Sequence, residues 1–357
     1  MTFDHPPDTE PRPDFKVLLT GALPLDILAY VDRLDSSGQI AIERVGGSVG
    51  NAGTALRRLG ASCTIAGAIG ADPEAETVRQ TMERDGLDTR YVEELPGRPT
   101  RRIVFEIRRE ADGTVSHRGI HPSGSLPPAA PGDISTGAWS SEAISNHHWF
   151  HFDAANRATV KIARDAASAG KVVSYDFGYQ PRGSVSRILP LLEQCHVIQT
   201  NRHLAPLLSL GAPPSSLLGR YPKLRFLLIT DGDRGLEIFW RNGTIRRKLR
   251  RATIPAPRVI DTIGAGDACT ALLIWSLRKM AFQNPEDIRF DEKQVRETLD
   301  AMAAVSALAC QFPGANGYLT WAAQKDWKLE DLIREIVTAE EVPETWHVPP
   351  EVWVREY

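Results

Sequence analysis

Asp261-Thr262-Ile263-Gly264-Ala265-Gly266-Asp267 is the stretch on which the reading of this chain turns. It lies between an apolar run that reads as β-structure and a long run that reads as helix. Glycines at a helix N-terminus leave backbone N–H groups bare, and such groups bind phosphate well. The last residue of the stretch is a carboxylate held at that same positive end. A phosphate cradle beside a potential base suits transfer of phosphate from a nucleotide to an alcohol. No Gly-Lys-Ser/Thr follows, so this is not a Walker A loop. The third glycine of the dinucleotide fingerprint is missing, and the preceding strand is late in the chain.

Upstream of this stretch the pattern alternates. Phe15–Gly21 reads as a first buried strand ending in a glycine turn, and Leu25–Leu34 carries apolar residues with Asp26 and Asp32. Gln39–Val45 reads as a short edge strand, and Gly46–Asn51 breaks into a helix over Ala52–Leu59. Cys63–Ile69 is a further strand and Glu74–Asp85 a helix. Arg101–Arg108 and Val115–Ile120 flank Asp112-Gly113, a strong hairpin signal. A hairpin inside an α/β chain predicts a small β flap. Gly124–Ser141, rich in Pro, Gly and Ser, reads as a loop. Strands over Trp149–Phe152, Val172–Tyr175, His196–Gln199 and Phe226–Thr230 then alternate with helices over Thr159–Ala169 and Val185–Glu193. Such alternation predicts a parallel sheet covered by helices on both faces. Gly266–Met280 and Glu292–Cys310 read as long helices.

The chain has 357 residues, a formal net charge of −3 and 24% charged residues. That charge argues against general nucleic-acid binding. No apolar run approaches a membrane span. Residues 1–14 are rich in Pro and Asp, without the apolar core of a signal peptide, and read as a mobile tail. Cys63, Cys195, Cys269 and Cys310 are scattered and lack zinc spacing, which fits buried free thiols in a reducing cytoplasm. No metal site is expected from His147, His148 and His151, because neighbours on a strand face opposite ways. Arg246–Arg251 reads as a solvated edge strand whose charge discourages aggregation. Residues 337–357, with Trp346, Trp353 and Tyr357, read as an extension that packs on the body or a neighbouring subunit.

With its motifs in order, the chain resembles the ribokinase-like (PfkB) family of sugar and nucleoside kinases over roughly Phe15–Ile336. Asp261–Asp267 matches the Asp-Thr-x-Gly-Ala-Gly-Asp signature in full. Gly21–Asp26, Gly46-Gly47 with Asn51, Gly60, Ile69–Asp72, Thr230–Gly235 and Gly314-Ala315 resemble the family's other motifs. The resemblance implies a three-layer α/β/α fold with a central mostly parallel sheet. It also implies a small β lid, built from Gln39–Val45 and Arg101–Ile120, that covers the substrate and makes a homodimer. It implies ATP and Mg2+, and allows a monovalent cation (K+) near Asp261. Asp267 would take the proton of the attacking hydroxyl, and Gly264, Ala265 and Gly266 would cradle the phosphate. Asp26, Gly46, Gly47 and Asn51 would hold the acceptor. Asn201, Thr230, Gly232, Gly235, Thr262, Gly314 and Ala315 would line the nucleotide.

Each residue also has a plainer reading. Asp267 would complement a helix dipole, Asp26 and Asn51 would cap helices, and Thr230–Gly235 would be a hairpin turn. The chain departs from the family pattern in several places. Leu204 replaces the glutamate of Asn-x-x-Glu, and of Asp-Pro-Asn-x-Arg only Asp176 survives, with Arg182 nearby. Leu272, Val49 and Gly53 also differ from the usual residues. Acceptors of the sugar class lead. A nucleoside kinase, with an aromatic slot at lid residues such as Phe105, and a non-catalytic scaffold subunit are the alternatives. A nicotinamide-dependent oxidoreductase is disfavoured by the missing early glycine fingerprint.

Overall fold

A computed structural model describes residues 14–35, 38–122, 126–135, 139–178, 185–285, 287–339 and 341–343. The expected tail up to residue 13, Arg182 and residues 344–357 of the expected extension lie outside this set.

Among the described residues thirteen strands form two sheets. The strands are β1 (Lys16–Thr20), β2 (Leu25–Asp35), β3 (Gly38–Val45), β4 (Ser62–Ile69), β5 (Asp88–Glu94), β6 (Arg102–Arg109), β7 (Val115–Ile120), β8 (Trp149–Phe152), β9 (Val172–Phe177), β10 (Val197–Asn201), β11 (Phe226–Thr230), β12 (Leu236–Asn242) and β13 (Ile245–Arg251). The large sheet runs β13-β12-β11-β10-β9-β8-β1-β4-β5. It is parallel except that β12 runs against both neighbours. Its central strands are buried on both faces, as β8 and β9 are throughout, because helices cover each side. Val17 and Leu19 point into one core and Leu18 into the other, as the two-residue period of a strand requires. The first core is closed by the helices Ser48–Arg58, Ala265–Ser276 and Glu292–Ala309, and the second by Arg157–Ser168 and Val185–Leu192. The expected α/β/α layering is therefore what the chain forms.

The small sheet runs β3-β2-β6-β7. The Asp112-Gly113 hairpin is present, with Gly113 at φ +85° and Glu110 N donating to Thr114 O. The expected flap lacked its centre: Leu25–Leu34 had no assigned class, and it is β2, paired antiparallel with β3 and parallel with β6.

Other local readings shift. The helix expected from Ala52 starts at Ser48, so Asn51 lies inside it and does not cap it. Asp26 lies on a strand, so it caps no helix. The helix expected over Gly266–Met280 ends at Ser276 and continues as a 3-10 turn, Arg278–Ala281. Residues 252–260 before the signature are not a strand; Pro255 and Pro257 cannot donate to a ladder. The strand β5 was not foreseen, because four of its seven residues are charged. Arg246–Arg251 is the sheet-edge strand expected. Cys63, Cys195 and Cys269 are buried free thiols, and Cys310 is partly buried.

Candidate active site

The candidate residues gather at the carboxyl ends of the parallel strands, where open α/β sheets bind ligands. Gly264 is the N-cap of the Ala265–Ser276 helix, in the left-handed region at φ +80°. A Cβ there would lie 2.2 Å from that of Ala315, so glycine is required both for the turn and for its approach to the Gly314-Ala315 turn. At Gly266 a Cβ would meet nothing within 4 Å, which leaves open space beside the first turn. The first-turn N–H groups have no intrahelical acceptor, and Ala265 N donates to Thr262 O at 3.4 Å.

Asp267 sits in that turn, and Asn51 Nδ2 donates to its Oδ2 at 2.7 Å. Enclosure by protein raises the Asp267 pKa, while hydrogen bonds from Asn51 and Ser48 pull it back. Asn316 in turn donates to Asn51 Oδ1 at 3.5 Å. Asp26 is buried beside the double glycine. A Cβ on Gly46 would overlap its carboxyl, and Gly47 turns the chain at φ +84° into the Ser48–Arg58 helix. Burial, and then the charge of Asp267, pushes Asp26 up to about 8. Among the described residues its buried Oδ1 has no hydrogen-bond partner.

Asp261 joins three parts of the molecule. Its Oδ1 accepts from Ile263 N at 2.8 Å, and its Oδ2 accepts from Gly314 N and from the Tyr30 hydroxyl of β2, both at 3.0 Å. Burial raises its pKa, and these bonds lower it. The lid touches the signature loop again where His117 meets Thr262 Oγ1 at 3.2 Å and where Arg109 donates to Val259 O. Phe105 packs edge-on to His117.

In the stretch expected to line the nucleotide, Thr230–Gly235 does form the turn between β11 and β12, with Gly232 and Gly235 at φ +57° and +98°. Beside it Arg202 bridges Asp231 and Glu237, and Lys248 also pairs with Glu237. Asn201 is spent locally: its Oδ1 accepts from His203 N and Leu204 N, and its amide donates to Gly178 O. Leu204 packs against the second core.

Sequence reasoning missed Asp153, Tyr30, Gln199 and Thr270. Asp153 follows β8, accepts from Ala22 N at 3.3 Å, and fills the space a Cβ on Gly21 would need. Enclosure first, then Asp267, pushes its pKa up to about 7. Its signal was an acid directly after a buried strand. Asp176 is buried between Gln199 and Thr270, and burial with the charges of Asp267 and Asp153 pushes it well above the carboxylate range. His147 bonds Ala143 O and Thr64, and His151 bonds Ser174, as core histidines do. A cavity of about 410 Å3 opens at the far end of the Ala265–Ser276 helix, lined by Trp275, Phe282 and Phe290, and holds none of these residues.

Comparison with known proteins shows the family and the fold. The aminoimidazole riboside kinase of Salmonella typhimurium is 24% identical over 305 residues, covering 80% of this chain and 88% of that protein. The structure of fructokinase with bound ATP from Xylella fastidiosa superposes with a TM-score of 0.68 at 21% identity, covering 87% of this chain and 99% of the other. An Escherichia coli structure assigned as ribokinase II, in complex with ATP and Mg2+, gives 0.70 at 17% identity, covering 91% and 99%. At these identities the two structures speak for the fold. Residues 15–322 match the family described as pfkB family carbohydrate kinase, and the chain belongs to it.

Proposed function

We propose that this carbohydrate-kinase chain transfers the γ-phosphate of ATP to a hydroxymethyl group of a sugar or sugar-like small molecule, with Asp267 as the base. The carrying observation is the placement of Asp267: a carboxylate held by Asn51 at a helix N-terminus, beside the open approach at Gly266. There the phosphoryl oxygens meet backbone N–H groups while the attacking hydroxyl meets a base. Asp26, with its unpartnered Oδ1, supports an acceptor rich in hydroxyl donors. Gly46, Gly47 and Asn51 complete that side, and Thr230, Gly232, Gly235, Thr262, Gly314, Ala315 and Asn201 border the nucleotide.

The residues fit a magnesium ion that arrives on the nucleotide, since magnesium keeps several waters and leans on substrate phosphates. Bound there, it would neutralise charge on those phosphates. Leu204 offers it no oxygen, so in our reading water and phosphate carry the ion. For a monovalent cation, Asp261 has three donors already and about one lone pair left; K+ there rests on the family resemblance. The same resemblance supports a homodimer through the lid sheet, a cytoplasmic location, and a kinase body over 15–336 with an appended C-terminal extension. Among the described residues no helix is long and apolar enough to cross a membrane.

The nucleoside alternative gains from the riboside kinase relative and from Phe105 on the lid. The scaffold alternative rests on Leu204. One experiment separates all three: ADP release measured against a panel of sugars and nucleosides, with Asp267→Asn as control. A single sugar that drives ADP release in the native protein, and on the order of 10²–10⁴-fold less in Asp267→Asn, supports the reading. A nucleoside winner moves the acceptor class, and no winner moves the chain to a binding role.

A further inference from the structure

Gly266 has an unusual problem. Its backbone carries the peptide bond into Asp267, yet it has no side chain of its own and a Cβ there would meet only open space. It lies in the first turn of the Ala265–Ser276 helix, where a glycine holds the backbone less firmly than other residues do. Two buried side chains restrain it. Gln199, 4% exposed on β10, donates Nε2 to Gly266 O at 2.9 Å. Thr270, 2% exposed and one helical turn on, donates Oγ1 to the same carbonyl at 3.2 Å. We propose that Gln199 and Thr270 are positioning residues that pin the Gly266 carbonyl and so fix the direction of the Asp267 N–H and the carboxylate beyond it.

The argument is geometric. In a trans peptide the C=O and the following N–H point in opposite directions. The bonds from Gln199 and Thr270 that hold the Gly266 carbonyl therefore also fix the line of the Asp267 N–H. Gln199 is also costly where it stands. Val197 and Ile198 on the same strand are buried and apolar, and Gln199 Oε1 is buried with no partner. A leucine would pack there without that cost, so the residue is held for its amide.

Asp176 completes the support. It lies opposite Gln199 on β9, and its Oδ2 is 3.3 Å from Thr270 Oγ1 and 3.5 Å from Gln199 Nε2. Burial, and then the charges of Asp267 and Asp153, favour its neutral form. Thr270 Oγ1 has one proton for two acceptors, Asp176 Oδ2 and Gly266 O; a neutral Asp176 that donates to Thr270 Oγ1 would leave the threonine proton for Gly266 O. In this role Asp176 needs no charge.

The kinetic half of the test rests on the proposed kinase reading, and the structural half does not. Gln199→Met keeps the shape and removes the donor, and Thr270→Val does the same at the second position. Each should lower kcat on the order of 10–100-fold, as a small misplacement does, with KM for ATP and acceptor within about threefold. A crystal structure of the double variant Gln199→Met, Thr270→Val should show the Gly266 carbonyl turned from its present direction. Thermal unfolding checks each variant, and Thr270→Val alone serves if Gln199→Met does not fold. An unmoved carbonyl overturns the proposal whatever the activity. Unchanged kcat in the single variants overturns it as well. If the native protein phosphorylates no acceptor, the kinase reading falls while the carbonyl direction still decides this one.

Discussion

Replacing Asn51 with leucine should move the acid limb of the kinase reaction upward in pH. In the folded chain two opposed effects act on Asp267. Enclosure favours its neutral form, and the hydrogen bonds from Asn51 and Ser48 favour its charge. The Asn51 bond is short, at 2.7 Å, and favours the ionised form of the carboxylate. A hydrogen bond to a charged group contributes about 1.5–3 kcal/mol. At about 1.36 kcal/mol per pKa unit, its loss raises Asp267 by roughly one to two units. A base works only when ionised, so the pH at which kcat reaches half its plateau should rise by the same amount. Leucine is close to asparagine in size, and position 51 is buried within a helix, so the backbone should hold. The assay is ADP release at saturating ATP and acceptor from about pH 5 to 9, with thermal unfolding at each pH. A limb that stays in place on a normal plateau would refute the claim that Asn51 tunes the base. A uniform fall at every pH would mean that Asn51 holds the acceptor and leaves the base alone.

Three further outcomes follow from the geometry. Gly266→Ala should leave stability unchanged or raise it by up to about 1 kcal/mol, because its Cβ meets only open space, while phosphoryl transfer drops as the methyl group crowds the phosphate. Gly264→Ala should lose both, since its φ of +80° and the contact with Ala315 forbid a side chain; paired melting and rate measurements separate the two glycines, and equal behaviour would contradict the assignment. Tyr30→Phe removes the lid's hydroxyl from Asp261 and should cost about 1–2 kcal/mol of stability. With the lid less firmly seated, ATP hydrolysis should rise relative to transfer, and an unchanged ratio would show that this bond does not govern water exclusion. Asp153→Asn concerns the slope of stability against pH. Asp153 titrates at about 7 when folded against an ordinary 3.8, so between those values the folded chain keeps a proton the unfolded chain has lost, and stability falls as pH rises. The asparagine variant should lack that fall, with a ceiling of about 4 kcal/mol by pH 8, reduced because water reaches part of the side chain; parallel melting curves for both proteins would exclude it.

Local chemistry made much of this protein legible from its residues. The apolar runs of β1, β4, β8, β10 and β11 lie close to where composition placed them, because strands buried on both faces must be apolar. Asp112-Gly113 specified its hairpin through the backbone freedom of glycine. The signature announced a helix N-terminus open to an anion for the same reason. Where burial is partial the signal fades. The charged strand β5 has no reading from the sequence, and β2 could not be seen as the centre of the lid because its pairing partners lie elsewhere in the chain.

The tertiary structure alone decided which side chains meet. Asn51 reaches Asp267 across 216 positions and Tyr30 reaches Asp261 across 231, and no local pattern encodes either pair. Asn51 read as an acceptor ligand or a helix cap, and only the packing of its helix against Ala265–Ser276 brings its amide to the base. The raised pKa values of Asp26, Asp153 and Asp176 have the same origin. An aspartate's intrinsic acidity is set by its own chemistry, but desolvation and neighbouring charge depend on what the fold places around it. The sequence determined the sheet, the glycine turn before the Ala265–Ser276 helix and the presence of a carboxylate in its first turn. The protonation of that site, and the direction in which Gly266 points it, come from contacts between strands and helices that are remote in the chain, because electrostatics and hydrogen bonding act through space.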